Sequence, residues 1–378
     1  DGTTTTVLLV AEMLQNALEL VRMGVHPSII VNGYSIALEE SISEIERVSR
    51  ESNEVQKSQV VKTSLQGKGD SSICGLIANL AVEAANGLVD VEGGDELERM
   101  VVKRLQIREG SVMDTSLVNG LMLLKSRVDA TSPANSGGGV IAIIDGGLEP
   151  PKLQADASIE VSSLGVLQEF HERSRENMQK QVEHLASLGI DLLIVRDGIA
   201  DEAITQLTDA GIVAYRRFER NDMDLLSRIS GAKPARNASA LEMENLGTYS
   251  KRLEESIADV KHTIIEGDGV GMTLVVRGSS PAVREEAIRI FDDAIGVAHR
   301  LNSRPGVLPG GGAIQSHLAR HLRPFSQTQS GREQLAIEAY ASALESIPRI
   351  LAENAGRDPV EVILSLSADQ KKSGAWIG

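Results

Sequence analysis

Four short segments of this 378-residue chain carry residue types suited to holding a phosphate and its counter-cation. The first is Asp1-Gly2-Thr3-Thr4-Thr5-Thr6, running straight into Val7, Val10, Ala11, Leu14, Leu18 and Val21 at helical spacing. A helix start offers unpaired N–H groups and a positive dipole end, which suits an anion. Gly2 permits close backbone approach, the threonine hydroxyls add donors, and Asp1 is a hard-oxygen ligand for a divalent cation. The second segment, Leu65-Gln66-Gly67-Lys68-Gly69, puts a lysine in a glycine turn from which it can reach a phosphate. The third is Asp292-Asp293 within the helical pattern Pro281–Arg300. Asp292 shares a face with Glu285, Arg289, Gly296 and His299, which predicts exposure; Asp293 borders Ile290 and Val297, which predicts a half-buried carboxylate able to orient a water. The fourth, Gly310-Gly311-Gly312, opens a helix and leaves bare backbone for a nucleotide's sugar and base.

Each segment also has a plainer reading. Threonine-rich helix starts are ordinary caps, a lysine in a turn is usually solvated, and an acid on a helix edge is usually a surface ion-pair partner. The Gly-x-x-x-x-Gly-Lys-Ser/Thr phosphate loop is absent, as are His-Glu-x-x-His and any cysteine cluster. Cys74, the only cysteine, permits no intrachain disulfide and reads as a small buried apolar residue.

The length predicts two or three domains, and 42% hydrophobic residues are ample for their cores. Aromatics make up only 2%, so Leu, Ile, Val and Ala must fill the interior. A net charge of −15 argues against nucleic acid or an anionic membrane as partner. With neither a signal peptide nor a membrane-length apolar run, a cytoplasmic location is expected. The chain has no initiator Met and reads as an internal piece of a longer protein.

Helical patterns cover Val7–Met23, Pro27–Arg50, Ile73–Asn86 and Leu97–Lys103. Ser132–Gly139 reads as a linker or surface loop. Beyond it the apolar runs Val140–Ile144, Asp191–Val195, Ile212–Tyr215 and Thr273–Val276 alternate with helical patterns at Leu164–Leu188, Asp201–Ala210 and Asp222–Ile229. That alternation predicts one α/β domain with a mainly parallel sheet. Gly147–Val161 has no clear period and reads as projecting from it. Helical patterns return at Pro281–Arg300 and Gly331–Asn354.

Taken in order, these motifs resemble a group II chaperonin subunit of the archaeal thermosome type, related to the eukaryotic cytosolic ring chaperonin TRiC/CCT. Asp1-Gly2-Thr3-Thr4-Thr5 is similar to the family's nucleotide loop, and Thr63-Ser64-Leu65-Gln66-Gly67-Lys68 to its Thr-Gly-Lys segment. Arg289-Ile290-Phe291-Asp292-Asp293-Ala294 resembles the helix that carries the hydrolytic Asp. The longest likeness runs from Gly331 to Ala339 and continues through Ile347-Pro348-Arg349 and Leu351-Ala352-Glu353-Asn354-Ala355-Gly356. Gly211–Arg217 resembles part of the family's apical domain.

The resemblance implies a multidomain chaperonin fold: a mainly α equatorial domain, an α/β intermediate domain, and an inserted α/β apical domain with a helical protrusion. The implied boundaries are equatorial 1–57, intermediate 58–125, apical 126–276, intermediate 277–309 and equatorial 310–378. It implies an ATPase coupled to protein folding, using ATP and Mg²⁺. By position, Asp1 would ligate Mg²⁺, Gly2, Thr3, Thr4 and Thr5 would hold the phosphates, and Gly310, Gly311 and Gly312 would cradle the nucleoside. Lys68 would sense the γ-phosphate and Asp293 would orient the attacking water, both from a hinge domain whose closure couples hydrolysis to enclosure. Implied partners are non-native polypeptides, met by Leu164, Leu167 and Phe170, and other chaperonin subunits in a double ring, with no nucleic acid and no membrane. Those three residues also fit ordinary packing onto the apical core. Gln66 stands where the family usually has Thr, and Ser126–Gly139 lacks the usual Pro-rich entry. Both motivate an alternative, a divergent ring subunit with a structural and substrate-binding role and little ATPase activity.

Overall fold

The computed structural model describes residues 2–88, 101–149, 164–257 and 259–376. In chain order the helices are α1 (Thr3–Arg22), α2 (Pro27–Val48), α3 (Glu54–Ser64), α4 (Ser71–Asn86), α5 (Leu164–Ser187), α6 (Asp201–Asp209), α7 (Arg220–Ser230), α8 (Pro281–Ser303), α9 (Ala313–Ser326), α10 (Glu333–Asn354) and α11 (Pro359–Ser373). The strands are β1 (Arg50–Glu51), β2 (Val102–Ile107), β3 (Ser116–Asn119), β4 (Leu121–Leu123), β5 (Gly139–Ile144), β6 (Leu192–Val195), β7 (Val213–Tyr215), β8 (Gly247–Tyr249), β9 (Lys251–Ile257), β10 (Val260–Glu266), β11 (Met272–Arg277) and β12 (Gly306–Val307). The chain divides into two compact units, Asp1–Gln56 with Arg304–Gly378, and Lys57–Ser303.

The first unit is a helical layer built around α10, which touches α1, α2, α9 and α11. Its core joins Ala37, Ile314, Leu318, Leu322, Ile337, Tyr340 and Leu344, with Tyr34 set edge-on to Tyr340 at a centroid distance of 5.7 Å. The α2–α10 crossing is close because Gly33 faces Ala336; a Cβ on Gly33 would stand 2.5 Å from the Ala336 Cβ. Pro27 opens α2 and His26 caps it, its Nδ1 accepting from the Ser28 N–H at 3.3 Å. The apolar stripe that marks α1 in the sequence does not face this core. Val7, Val10, Leu14, Leu18 and Val21 are exposed, while Leu9, Met13, Ala17 and Leu20 pack inward. α1 is apolar on two faces, and periodicity alone could not choose between them.

A polar cluster lies within this layer. Glu44 on α2, with a side chain only 2% exposed, receives Arg47 through Nε and Nη2 at 2.6 and 2.7 Å and His317 Nε2 on α9 at 2.6 Å. Burial alone would raise the Glu44 pKa, but the hydrogen bonds from Arg47 and His317 and the charge of His321 outweigh it and hold the carboxyl at about 2.

Among the described residues, the second unit contains three sheets. In the four-stranded sheet of order β7-β6-β5-β8, the pairs β5–β6 and β6–β7 are parallel and β8 is antiparallel. β6 and β7 are wholly buried and β5 nearly so, which is why they read as continuous apolar runs. The expected strand Thr273–Val276 is real, but as β11 it belongs to a different sheet, pairing parallel with β2 and antiparallel with β3. Of the expected helix Leu97–Lys103, Val101 is helical, but Val102 and Lys103 are corrected: they begin β2. The third sheet, β4-β10-β9, carries a hairpin that the coarse sequence reading missed. α4 and α8 pack together beside β2 and β11.

Ser132–Gly139 is tied down rather than free. Arg252, fully buried, donates from Nη2 to the Pro133 carbonyl at 2.8 Å and from Nη1 to Ala134 at 3.0 Å and the Tyr215 hydroxyl at 3.2 Å. Most of the expected projection, Gly147–Val161, lies outside the described residues. Among the described residues no helix is long and apolar enough to cross a membrane.

Two tests address the first unit. Gly33→Ala is expected to cost about 1–3 kcal/mol through overpacking, read by denaturant unfolding; an unchanged midpoint would refute the tight crossing. Because the Glu44 pKa is lowered in the fold, its stabilisation is present above its ordinary value and lost as pH falls from about 4.5 towards 2. Thermal midpoints from pH 6 to 2 should fall more steeply for the parent than for Glu44→Gln, which starts lower at pH 6. Parallel curves would remove this account.

Candidate functional site

In the first unit the first and fourth segments meet. Gly2, with φ 104°, sits at the N-cap of α1, and no side chain caps the helix start. Both the N–H and the hydroxyl of Thr6 donate to the Gly2 carbonyl at 2.9 Å, which closes the first turn. Gly2, Thr3 and Thr4 are exposed and Thr5 is half-buried. Thr4 and Thr5 line a cleft of about 310 Å³ together with Gly310, Gly311, Gly312 and Asn354. Uncapped N–H groups, hydroxyls and bare backbone therefore share one cavity, the composition a phosphate and a flat ring require.

The glycine loop is held by geometry that only glycine satisfies. Gly311 and Gly312 adopt φ of 67° and 81°, in the left-handed region. Gly312 is buried, and a Cβ there would lie 2.9 Å from Pro348 of α10, whereas Gly310 and Gly311 face open space. The loop is thus seated on α10 and bare on its outer side. Gly311 and Leu351 also border a second cleft of about 560 Å³ lined by Arg357, Asp358, Glu361 and Asp369. Asn354 was not singled out from sequence, although it stands in the Leu351–Gly356 segment.

The second unit brings the other two segments together. Lys68 follows α3 in a turn where Gly67 has φ 80°, and its N–H donates to the Leu65 carbonyl at 3.1 Å. Its Nζ donates to Asp293 Oδ2 on α8 at 2.9 Å. The two side chains are 32% and 48% exposed, so the pair is open to solvent. The expected roles of the neighbouring acids in burial are reversed. Asp292 is the half-buried one, gripped by Arg104 of β2, and Asp293 is exposed. The reason is that α8 packs on two sides, against α4 and against the β2–β11 edge, so its buried face is wider than one stripe. Cys74 is buried as expected, and burial pushes its thiol pKa up.

Asp1 lies outside the described residues. Leu164, Leu167 and Phe170 fall in the first turns of α5, where side chains are likewise outside what is described. At the helix start the threonine hydroxyls offer the hard oxygen that Mg²⁺ selects, while the backbone N–H groups suit phosphate oxygens.

Comparison with known proteins gives a consistent outcome. The model of the TCP-1/cpn60 chaperonin family matches residues 1–378. A thermosome subunit from Methanocaldococcus jannaschii is 34% identical, with the match covering all of this chain and 70% of that protein. A thermosome subunit alpha from Thermoplasma acidophilum is 33% identical over the same shares. An open-state group II chaperonin monomer from Methanococcoides burtonii superposes with a TM-score of 0.76 at 27% identity, covering 99% of this chain and 89% of that one. The expected multidomain chaperonin fold is borne out by that superposition.

Gly312→Ala tests the seating of the loop. It adds a Cβ against Pro348 at a positive φ and is expected to destabilise by about 1–3 kcal/mol and to weaken ATP binding. Calorimetric ATP titration and thermal unfolding read both; parental values for both would show that the loop does not depend on this contact.

Proposed function

The chain belongs to the TCP-1/cpn60 chaperonin family, an ATP-dependent chaperonin subunit by that membership, and we propose which of its residues bind and hydrolyse the nucleotide. The observation that carries the reading is the shared cleft of the Thr4–Thr5 helix start and the Gly310–Gly312 loop. Backbone N–H groups and hydroxyls at Gly2 to Thr5 donate to phosphate oxygens, with the α1 dipole adding to them. Gly310 to Gly312 present backbone to the nucleoside. Asp1 supplies a carboxylate for Mg²⁺, which when bound neutralises charge on the phosphates.

In the second unit Asp293 is the group that orients the attacking water. Its exposure supports this, since a carboxylate already enclosed by protein partners could not accept from a water. Lys68, held beside it, brings a point charge suited to a terminal phosphate. Catalysis is then positioning and electrostatic stabilisation of an in-line phosphoryl transfer. The wider role is folding of non-native polypeptides in the cytoplasm, with other chaperonin subunits in a double ring. Leu164, Leu167 and Phe170 are the residues proposed to meet clients, as an apolar surface is what an unfolded chain seeks.

Steady-state hydrolysis by the native assembly tests the assignment. Turnover should require Mg²⁺ and vanish with EDTA, and Asp293→Ala should lower kcat by about 100-fold or more while ATP still binds. Parental turnover in Asp293→Ala would show that another group orients the water.

A further inference from the structure

β2 puts two cations side by side in sequence, Lys103 and Arg104, and the strand period sends them to opposite faces. Lys103 pairs with Asp222 of α7, whose side chain is 10% exposed. Arg104 turns to α8, where it donates to Asp292 Oδ1 from Nε at 3.0 Å and from Nη2 at 2.6 Å. Its Nη1 donates to the Val102 carbonyl, and the guanidinium lies 5.8 Å from the Phe291 ring centroid. Two residues on, along the same face of β2, Gln106 Oε1 accepts from Arg284 Nε of α8 at 3.1 Å. The strand thus holds α8 at two points along one side.

We propose that Arg104 is a positioning residue for hydrolysis, fixing the rotation of α8 through Asp292 so that Asp293 presents its carboxylate beside Lys68. The inference rests on the assignment of Asp293 as the hydrolytic carboxylate.

Three observations carry it. Asp292 and Asp293 are adjacent on a helix, about 100° apart around its axis, so whatever fixes one fixes the other's direction. The Lys68–Asp293 pair cannot set that direction itself, because an ion pair this exposed contributes little. The Arg104 side chain is 15% exposed, and its planar fork is anchored at once to the strand backbone and to one carboxylate oxygen. Lysine could supply the charge without that geometry. Removing Arg104 would also leave the Asp292 carboxylate uncompensated next to Asp293.

The test is kinetic and uses the native assembly. Arg104→Met and Asp292→Asn should each lower kcat about 10-fold while ATP affinity, read by calorimetry, stays at the parental value. Arg104→Lys should remain below the parent. The double variant Arg104→Met/Asp292→Asn should lose no more than either single change, because the two residues act as one unit. Parental kcat in Arg104→Met, or independent losses that multiply in the double variant, would overturn the proposal. Should Arg104→Met fail to fold, Asp292→Asn decides alone, since it keeps side-chain shape and an acceptor; parental kcat there also overturns it. Asp293→Ala run in parallel separates premise from inference. If it turns over normally, the hydrolytic assignment fails; if it is inactive while Arg104→Met is normal, only the positioning role fails.

Discussion

The first unit is organised by the places where backbone is allowed to touch α10. Gly33 lets α2 come down onto Ala336, and Gly312 lets the glycine loop come down onto Pro348. Both contacts replace side chain with main chain, and both are steric constraints rather than attractions. The second seats the loop at which α9 begins. The cleft that collects Thr4, Thr5 and the three glycines is therefore a product of helix packing. Tyr34 against Tyr340 and the Leu318–Leu344 core supply the attraction that holds the constraint closed.

Polar groups inside both units do a different task. Glu44 with His317, Asp292 with Arg104, and Asp222 with Lys103 each join elements that are far apart in sequence. A chain with 2% aromatics has few large shapes with which to specify orientation. Half-buried ion pairs then add direction to the packing. Their worth lies in specificity more than in stability, because desolvation offsets much of the attraction.

How much of this could be read from the sequence follows from the range of each signal. The Gly310–Gly312 turn was legible because left-handed glycines are a local requirement, whereas α1 begins at Thr3, ahead of the Val7 at which the apolar spacing starts it. The parallel strands β5 to β7 were legible because double-sided burial writes an apolar run. The facing of α1 was not, since a helix apolar on two sides satisfies either orientation. The exposures of Asp292 and Asp293 were exchanged for a related reason: a helical wheel assumes one packing partner, and α8 has two. Val102 and Lys103 read as the end of a helix because the strand partner of β2 lies at Met272–Arg277, far from it in sequence. Ser132–Gly139 looked like a linker for the same reason, as its anchor, Arg252, comes over a hundred residues later.

That anchor has a thermal consequence. Arg252 is a fully buried cation whose hydrogen bonds go to carbonyls and a hydroxyl, all neutral. Taking a guanidinium out of water is costly when cold and less so when hot, because ion hydration loses strength as temperature rises. The fastening of this loop is therefore relatively stronger near the upper end of the protein's working range, where most loops loosen.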